Sequence, residues 1–204
     1  MTDTVEPTAP ARPVLPPPPV PLRTERLLLR PARPDDAPDL DYYVDPEVAR
    51  YLPFAALDPS ALPERAVTLA SRTAPSEPGD ALNLVVEHEG RVVGDVMLRL
   101  TGPAPPGASP SIGELGWVFS PSVAGRGFAT EAARAMARLG FEHYPLHRLM
   151  AQLDPLNTAS ARICERLGMK HEAHTRRDFL SHDGTWKDTA VYGLLREEWE
   201  AERG

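Results

Sequence analysis

The chain lacks most of what holds a metal through thiolates, crosses a bilayer or grips a nucleic acid. It has one cysteine, Cys164, in 204 residues, which excludes an internal disulfide and a cysteine-based zinc site. No apolar run approaches the ~20 residues that span a bilayer, so no membrane partner is expected. The start of the chain has neither the basic stretch nor the apolar core of a secretory signal, and the expected location is cytoplasmic. Lys and Arg number 22 against 29 Asp and Glu, a formal net charge of -7. Neutralising a phosphate backbone takes clustered cations, so no nucleic-acid partner is expected, although a local basic groove is compatible with this balance. His171 and His174 do not suggest a metal. Three residues apart on a strand they are expected to face opposite sides, without an acidic or cysteine partner at ligand spacing.

Proline, by contrast, is abundant, with 24 residues. Pro7, Pro10, Pro13, Pro16 to Pro19 and Pro21 remove backbone donors and forbid a helix. Residues 1–21 are therefore expected to be a polyproline-like or disordered tail, a passive extension rather than a ligand for a proline-recognition module. Residues 22–204 read as one domain of ordinary size.

Within that domain, residues 23–30 are expected to form a strand. Two short helices follow, one starting near Asp35 and Asp36 and one at Asp45-Pro46, where an acid caps and a proline occupies the first helical position. A third helix is expected over 64–72. Residues 82–87 and 91–100 read as a hairpin around Glu89-Gly90. Residues 102–110 are a loop, 112–119 a strand, 127–143 a helix, 147–153 a strand and 157–167 a helix. A last hairpin spans 169–180 and 185–195 around Asp183-Gly184. The pattern is mixed α/β (α+β), a mostly antiparallel sheet of about seven strands with flanking helices.

The most informative stretch is 122–132, Ser-Val-Ala-Gly-Arg-Gly-Phe-Ala-Thr-Glu-Ala. It places Gly125 and Gly127 in a turn between a strand and a helix N-terminus. Such a turn leaves backbone N–H groups unpaired at the positive end of a helix dipole and binds phosphate. No third glycine completes a dinucleotide fingerprint, and no Gly-Lys-Ser/Thr completes a Walker loop.

With its surroundings, the chain resembles the GNAT superfamily of acyl-CoA-dependent N-acyltransferases, and within it the RimJ/RimL-type branch. Gly125-Arg126-Gly127-Phe128-Ala129-Thr130-Glu131-Ala132 is similar to the family's pyrophosphate motif. Asn157-Thr158-Ala159-Ser160 with Glu165-Arg166-Leu167-Gly168-Met169 is similar to its Asn-x-x-Ser/Ala helix. Trp186-Lys187-Asp188 with Val191-Tyr192 resembles the branch's last hairpin, and Leu22 to Leu27 also fits. Two positions depart from the family pattern: Ser122 stands where Gln or Arg is usual, and Cys164 stands where many members carry a tyrosine acid.

The resemblance implies acetyl-CoA as co-substrate, no metal, and transfer of the acetyl group to a primary amine by direct attack in a ternary complex. The branch implies a protein N-terminal amine as acceptor and a monomer or homodimer. A small-molecule amine, another acyl-CoA donor, or an acyl-CoA sensor without catalysis are the alternatives. The N–H groups of 124–129, from Ala124 to Ala129, would hold the pyrophosphate, with Arg126 screening its charge and Thr130 offering a hydroxyl. Trp117, Val118 and Phe119 end a strand that in the family splays from its neighbour and pairs with pantetheine amides. Asn157 would bond the pantetheine arm, or simply cap its helix. Ser160 would protonate the departing thiolate, or bond its own backbone. Glu114 is the candidate general base, on the strand face opposite Leu115, Trp117 and Phe119, against the alternative of a solvated strand charge. Asp95 and Asp188 are its rivals. Asp35, Asp36, Asp39 and Asp41 could favour a cationic acceptor in a pocket shaped by the helices of 35–72 and the 181–185 turn. Cys164 reads as a small buried apolar residue.

Overall fold

In the computed structural model, which describes residues 15–102 and 111–201, the chain runs through eight strands and five α-helices. These are β1 (Leu22–Arg23), β2 (Leu28–Arg30), α1 (Pro46–Ala49), α2 (Leu62–Ala70), β3 (Ala81–His88), β4 (Arg91–Thr101), β5 (Ile112–Phe119), α3 (Phe128–Glu142), β6 (Arg148–Leu153), α4 (Thr158–Arg166), β7 (Lys170–Leu180), β8 (Trp186–Leu195) and α5 (Arg196–Ala201). A 3-10 segment, Pro34–Tyr43, precedes α1 and bends at Leu40 after the internal Pro38. The loop expected over 102–110 falls almost wholly outside the described residues. No helix among them is long and apolar enough to cross a membrane.

One sheet contains all the strands, in the order β1-β2-β3-β4-β5-β6-β8-β7. Every neighbouring pair is antiparallel except β5–β6, which α3 joins as a parallel crossover. Strand alternation divides the core between the two faces. Leu82, Leu84 and Val86 of β3 pack under α3 with Phe128, Ala132, Met136 and Ala137. Val85, on the other face, joins Leu40, Tyr42 and Tyr43 of the 3-10 segment and Leu62, Ala66 and Leu69 of α2.

Three expectations need correction. The strand over 23–30 is two strands, because Thr24 N–H and the Leu27 carbonyl close a tight turn at 3.0 Å, and this brings the sheet to eight strands. The tail is not passive throughout: Leu15 is buried in the main core and the Pro16 carbonyl meets His143 Nε2 at 3.3 Å. The part of the tail before Leu15 lies outside the described residues. Finally, β7 shifts register between His171 and Ala173, so that His171 stands opposite Tyr192 and His174 opposite Ala190. The bulge turns both histidines to one face.

Arg30 and Asp36 form a buried two-pronged pair, with N–O distances of 2.8 and 2.7 Å. Burial alone would raise the Asp36 pKa; the Arg30 guanidinium and the Arg33 N–H outweigh it and hold the carboxyl below its usual range. Asp36→Asn is expected to cost about 3 kcal/mol at neutral pH, the low end for a broken buried pair, because Glu87 still holds Arg30. Because the folded pKa is lowered, the contribution is complete above the ordinary Asp value of about 3.9 and is lost as the pH falls below it. Urea unfolding at pH 7 and pH 3 checks this: the gap between wild type and variant should narrow at the lower pH.

Candidate active site

The turn after β5 is set by local chemistry. The Ser120 side chain caps a short 3-10 turn, Pro121–Val123. Gly125 and Gly127 then adopt φ of 76° and 80°, left-handed backbone that side chains disfavour. Ala124 N–H bonds the Pro121 carbonyl and Arg126 N–H that of Val123. These two positions therefore offer no free donor, contrary to the expectation for the whole of 124–129. Gly125, Gly127, Phe128, Ala129 and Thr130 N–H groups meet no acceptor among the described residues, and the first bond of α3 runs from Glu131 N–H to the Gly127 carbonyl. The result is a cluster of backbone donors at a helix N-terminus.

The turn is braced from β1 and the turn that follows it. Arg26 pairs with Glu131 at 2.6 Å and donates to the Arg126 carbonyl at 2.9 Å. The Thr24 hydroxyl donates to Glu131 at 2.6 Å. Sequence reading assigned no role to Arg26 or Glu131, and no spacing rule links residues 105 positions apart.

Beside the turn, β5 and β6 part. They pair only at Ile112–Arg148, Gly113–Leu149 and Glu114–Met150, although β5 continues to Phe119 and β6 to Leu153. Beyond Glu114, the edge of β5 facing β6 has no ladder. Gly94 keeps the other edge of β5 close to β4: a Cβ there would lie 2.5 Å from the Val118 carbonyl. The first turn of α4 borders the gap. Trp117 Nε1–H donates to Ser160 Oγ at 3.1 Å, and Asn157 Oδ1 accepts from Ser160 N–H at 3.1 Å. Asn157 is thus the cap of α4, and its Nδ2 donates to no described residue. Ser160 does not bond its own backbone; its hydroxyl accepts an indole N–H and keeps its own proton.

Glu114 marks the point where the strands part. Its side chain is 14% exposed, and Arg99 donates twice to Oε2, at 3.1 and 2.6 Å, leaving Oε1 without a described partner. Asp95 is excluded as a base for an incoming amine. It is wholly buried, and the Tyr42 and Tyr43 hydroxyls donate to its Oδ2 at 2.8 and 2.7 Å. Asp188 accepts from Arg177 N–H at 3.0 Å and lies 2.7 Å from His174 Nε2, which ties it into the last hairpin. Burial pushes the Cys164 thiol up to about 12, so it stays protonated in the core. Among the described residues no group of three or more His, Cys, Asp or Glu could hold a metal ion.

Two of the four acids expected to favour a cationic acceptor, Asp36 and Asp39, are already paired within the protein. Asp36 is occupied by Arg30, and Asp39 accepts from Arg91 and Val92 N–H. Segment 35–72 does approach the gap by other contacts. Lys187 donates to the Arg50 carbonyl at 2.9 Å, and the Tyr51 hydroxyl to the Leu156 carbonyl at 3.3 Å. These tie the end of α1 to β8 and to the β6–α4 loop.

The chain is similar to known proteins in sequence and in fold. A model of the acetyltransferase (GNAT) domain matches residues 26–170. The uncharacterized N-acetyltransferase YnaD of Bacillus subtilis is 37% identical over 86 residues, 42% of this chain and 50% of YnaD, so the match spans about half of that relative's length. The ribosomal protein uS5-alanine N-acetyltransferase of Escherichia coli is 32% identical over 85 residues, 42% of this chain and 43% of that protein. A solved GNAT-family acetyltransferase from Bacillus anthracis superposes with a TM-score of 0.75 at 28% identity, covering 87% of this chain and 99% of the other. Since a single match runs from the Arg26 brace through the turn after β5 and α4, the chain belongs to the acetyltransferase (GNAT) family.

Proposed function

We propose that the protein transfers an acetyl group from acetyl-CoA to a primary amine by direct attack within a ternary complex, and that the amine is the N-terminus of a polypeptide. The observation that carries this reading is the end of the β5–β6 ladder at Glu114 beside a turn in which the N–H groups of Gly125, Gly127, Phe128, Ala129 and Thr130 meet no described acceptor. Together they fit an anion joined to an extended, amide-bearing arm. The pyrophosphate sits on the N–H groups of Gly125, Gly127, Phe128, Ala129 and Thr130, and Arg126 screens its charge. The pantetheine amides pair with the free edge of β5 along Trp117, Val118 and Phe119 and with Asn157.

At the far end of that arm the amine lone pair attacks the thioester carbonyl carbon, and a backbone N–H at the end of β5 stabilises the oxygen as charge builds on it. The Glu114 carboxylate takes a proton from the ammonium, directly or through water. Collapse expels the thiolate, and the Ser160 hydroxyl gives it a proton. The Trp117 indole N–H, already bonded to that oxygen, orients the hydroxyl, which takes up a solvent proton as it gives its own, and the attacking nitrogen sheds its second proton to water as the amide forms. The peptide acceptor rests on the activity named for the uS5-alanine relative; a small-molecule amine is the competing acceptor.

Release of free thiol from acetyl-CoA tests the reading. Peptides with a free N-terminus should release thiol, and the same peptides with a blocked N-terminus should not. Turnover only with small amines would move the acceptor to that class. Tight acetyl-CoA binding without turnover across peptides and amines would instead favour a sensor.

A further inference from the structure

Arg126 has no carboxylate partner among the described residues, yet it is held. Its guanidinium lies 4.4 Å over the Phe128 ring, and its Nη2 is 3.1 Å from His88 Nε2. The other imidazole nitrogen of His88, Nδ1, is 3.1 Å from the Arg26 carbonyl. A carbonyl only accepts and a guanidinium only donates. A single neutral tautomer satisfies both contacts: Nδ1–H donates to Arg26, and the Nε2 lone pair accepts from Arg126. The ring also packs on Phe128, with centroids 4.5 Å apart, and its side chain is 14% exposed. Glu89 stands 3.8 Å from Nε2 but is itself 84% exposed. Arg26, the second guanidinium over Phe128 at 4.8 Å, is neutralised by Glu131. His88 thus arrives from the end of β3 to orient the one residue of the turn whose charge has no counterpart among the described residues.

We propose that His88 is a positioning residue for the donor site: its Nε2 lone pair fixes Arg126 at the edge of the N–H cluster, so that the pyrophosphate meets a guanidinium already oriented. The proposal rests on the reading of the turn as the pyrophosphate site. Without His88, Arg126 is ordered only when the donor binds, and the lost freedom of one long side chain weakens affinity by about three- to tenfold.

The test measures Kd and KM for acetyl-CoA in His88→Leu, His88→Gln, Arg126→Leu and the His88→Leu, Arg126→Leu double variant. Glutamine can offer Oε1 to Arg126 and Nε2–H to Arg26; leucine can do neither. His88→Leu should raise both constants about three- to tenfold while kcat moves less than about twofold. His88→Gln should recover most of the affinity. In the Arg126→Leu background the leucine substitution should have no further effect, because the two residues act as one unit. An equal loss from leucine with and without Arg126, or a glutamine variant no better than leucine, overturns the proposal. Should His88→Leu fail to fold, His88→Asn takes its place, since its amide is too short to reach both partners. Silent His88 variants alongside a Gly127→Val protein that has lost acetyl-CoA binding overturn this proposal alone. If Gly127→Val and Arg126→Leu are silent as well, the pyrophosphate reading itself fails.

Discussion

Gly127→Val is expected to weaken acetyl-CoA binding by about 100-fold or more, a loss equal to two hydrogen bonds to a charged group at about 1.5–3 kcal/mol each. Two physical effects combine. At φ 80° a β-branched residue is strained by about 1–2 kcal/mol and pulls the N–H groups of Gly127 and Phe128 out of alignment. The new side chain also stands where the phosphates must approach the backbone. Crowding within the protein is not the cause, since the closest neighbour to a Cβ there is Arg26 Nη2 at an ordinary 3.5 Å. Gly184 provides the matched comparison. It shares φ 80° and has nothing within 4 Å of a Cβ, but it sits in the β7–β8 turn. Gly184→Val should lose similar stability without weakening acetyl-CoA. Calorimetric titration together with thermal melts of both variants decides the matter. Wild-type affinity in Gly127→Val would remove the turn from the donor site.

Glu114→Gln is expected to lower kcat by about 10²–10⁴-fold, the range for loss of a general base. Glutamine keeps the shape of the side chain and can still accept from Arg99, so acetyl-CoA affinity and melting temperature should change little. A base must be deprotonated to act. The residual activity of the variant should therefore follow the protonation of the acceptor amine alone. Arg99→Gln supplies the contrast, because it removes both donors to Oε2 and leaves the carboxylate in place. It should retain far more activity than Glu114→Gln. If the Glu114→Gln rate and pH profile match the wild type, the Arg99–Glu114 pair is a structural strand pair and the proton leaves by another route.

The expected strand at 112–119 coincides with β5, and the hairpin around Glu89-Gly90 forms with both turn residues at positive φ. Such elements are legible because alternation, turn chemistry and caps act within a few residues of chain. The start of the chain was harder to read. Thr24 to Leu27 looks like the opening of one continuous strand, yet the chain turns there through bonds between Thr24 and Leu27, and the distant Glu131 holds that turn in place. The facing of His171 and His174 failed for a related reason. A bulge is a property of two strands paired together and leaves no periodic mark on either one.

The candidate site divides along the same line. Gly125, Gly127 and Asn157 announce themselves by residue type, because left-handed backbone and helix capping each favour few side chains. Asp95 and Glu114 are both strand carboxylates in the sequence. Burial behind two tyrosines separates one from the other, and that burial depends on the packing of the Pro34–Tyr43 segment against β4. The role of His88 depends on a contact with Arg126 across 38 positions.

Local chemistry alone therefore determined the fold class, the phosphate-type turn and the α4 cap, since each follows from backbone preferences that neighbouring residues set. Tertiary structure decided which N–H groups stay free, which carboxylates are buried or paired, and where β5 leaves β6. Those outcomes arise from competition between partners far apart in the chain, and no local pattern records which partner wins.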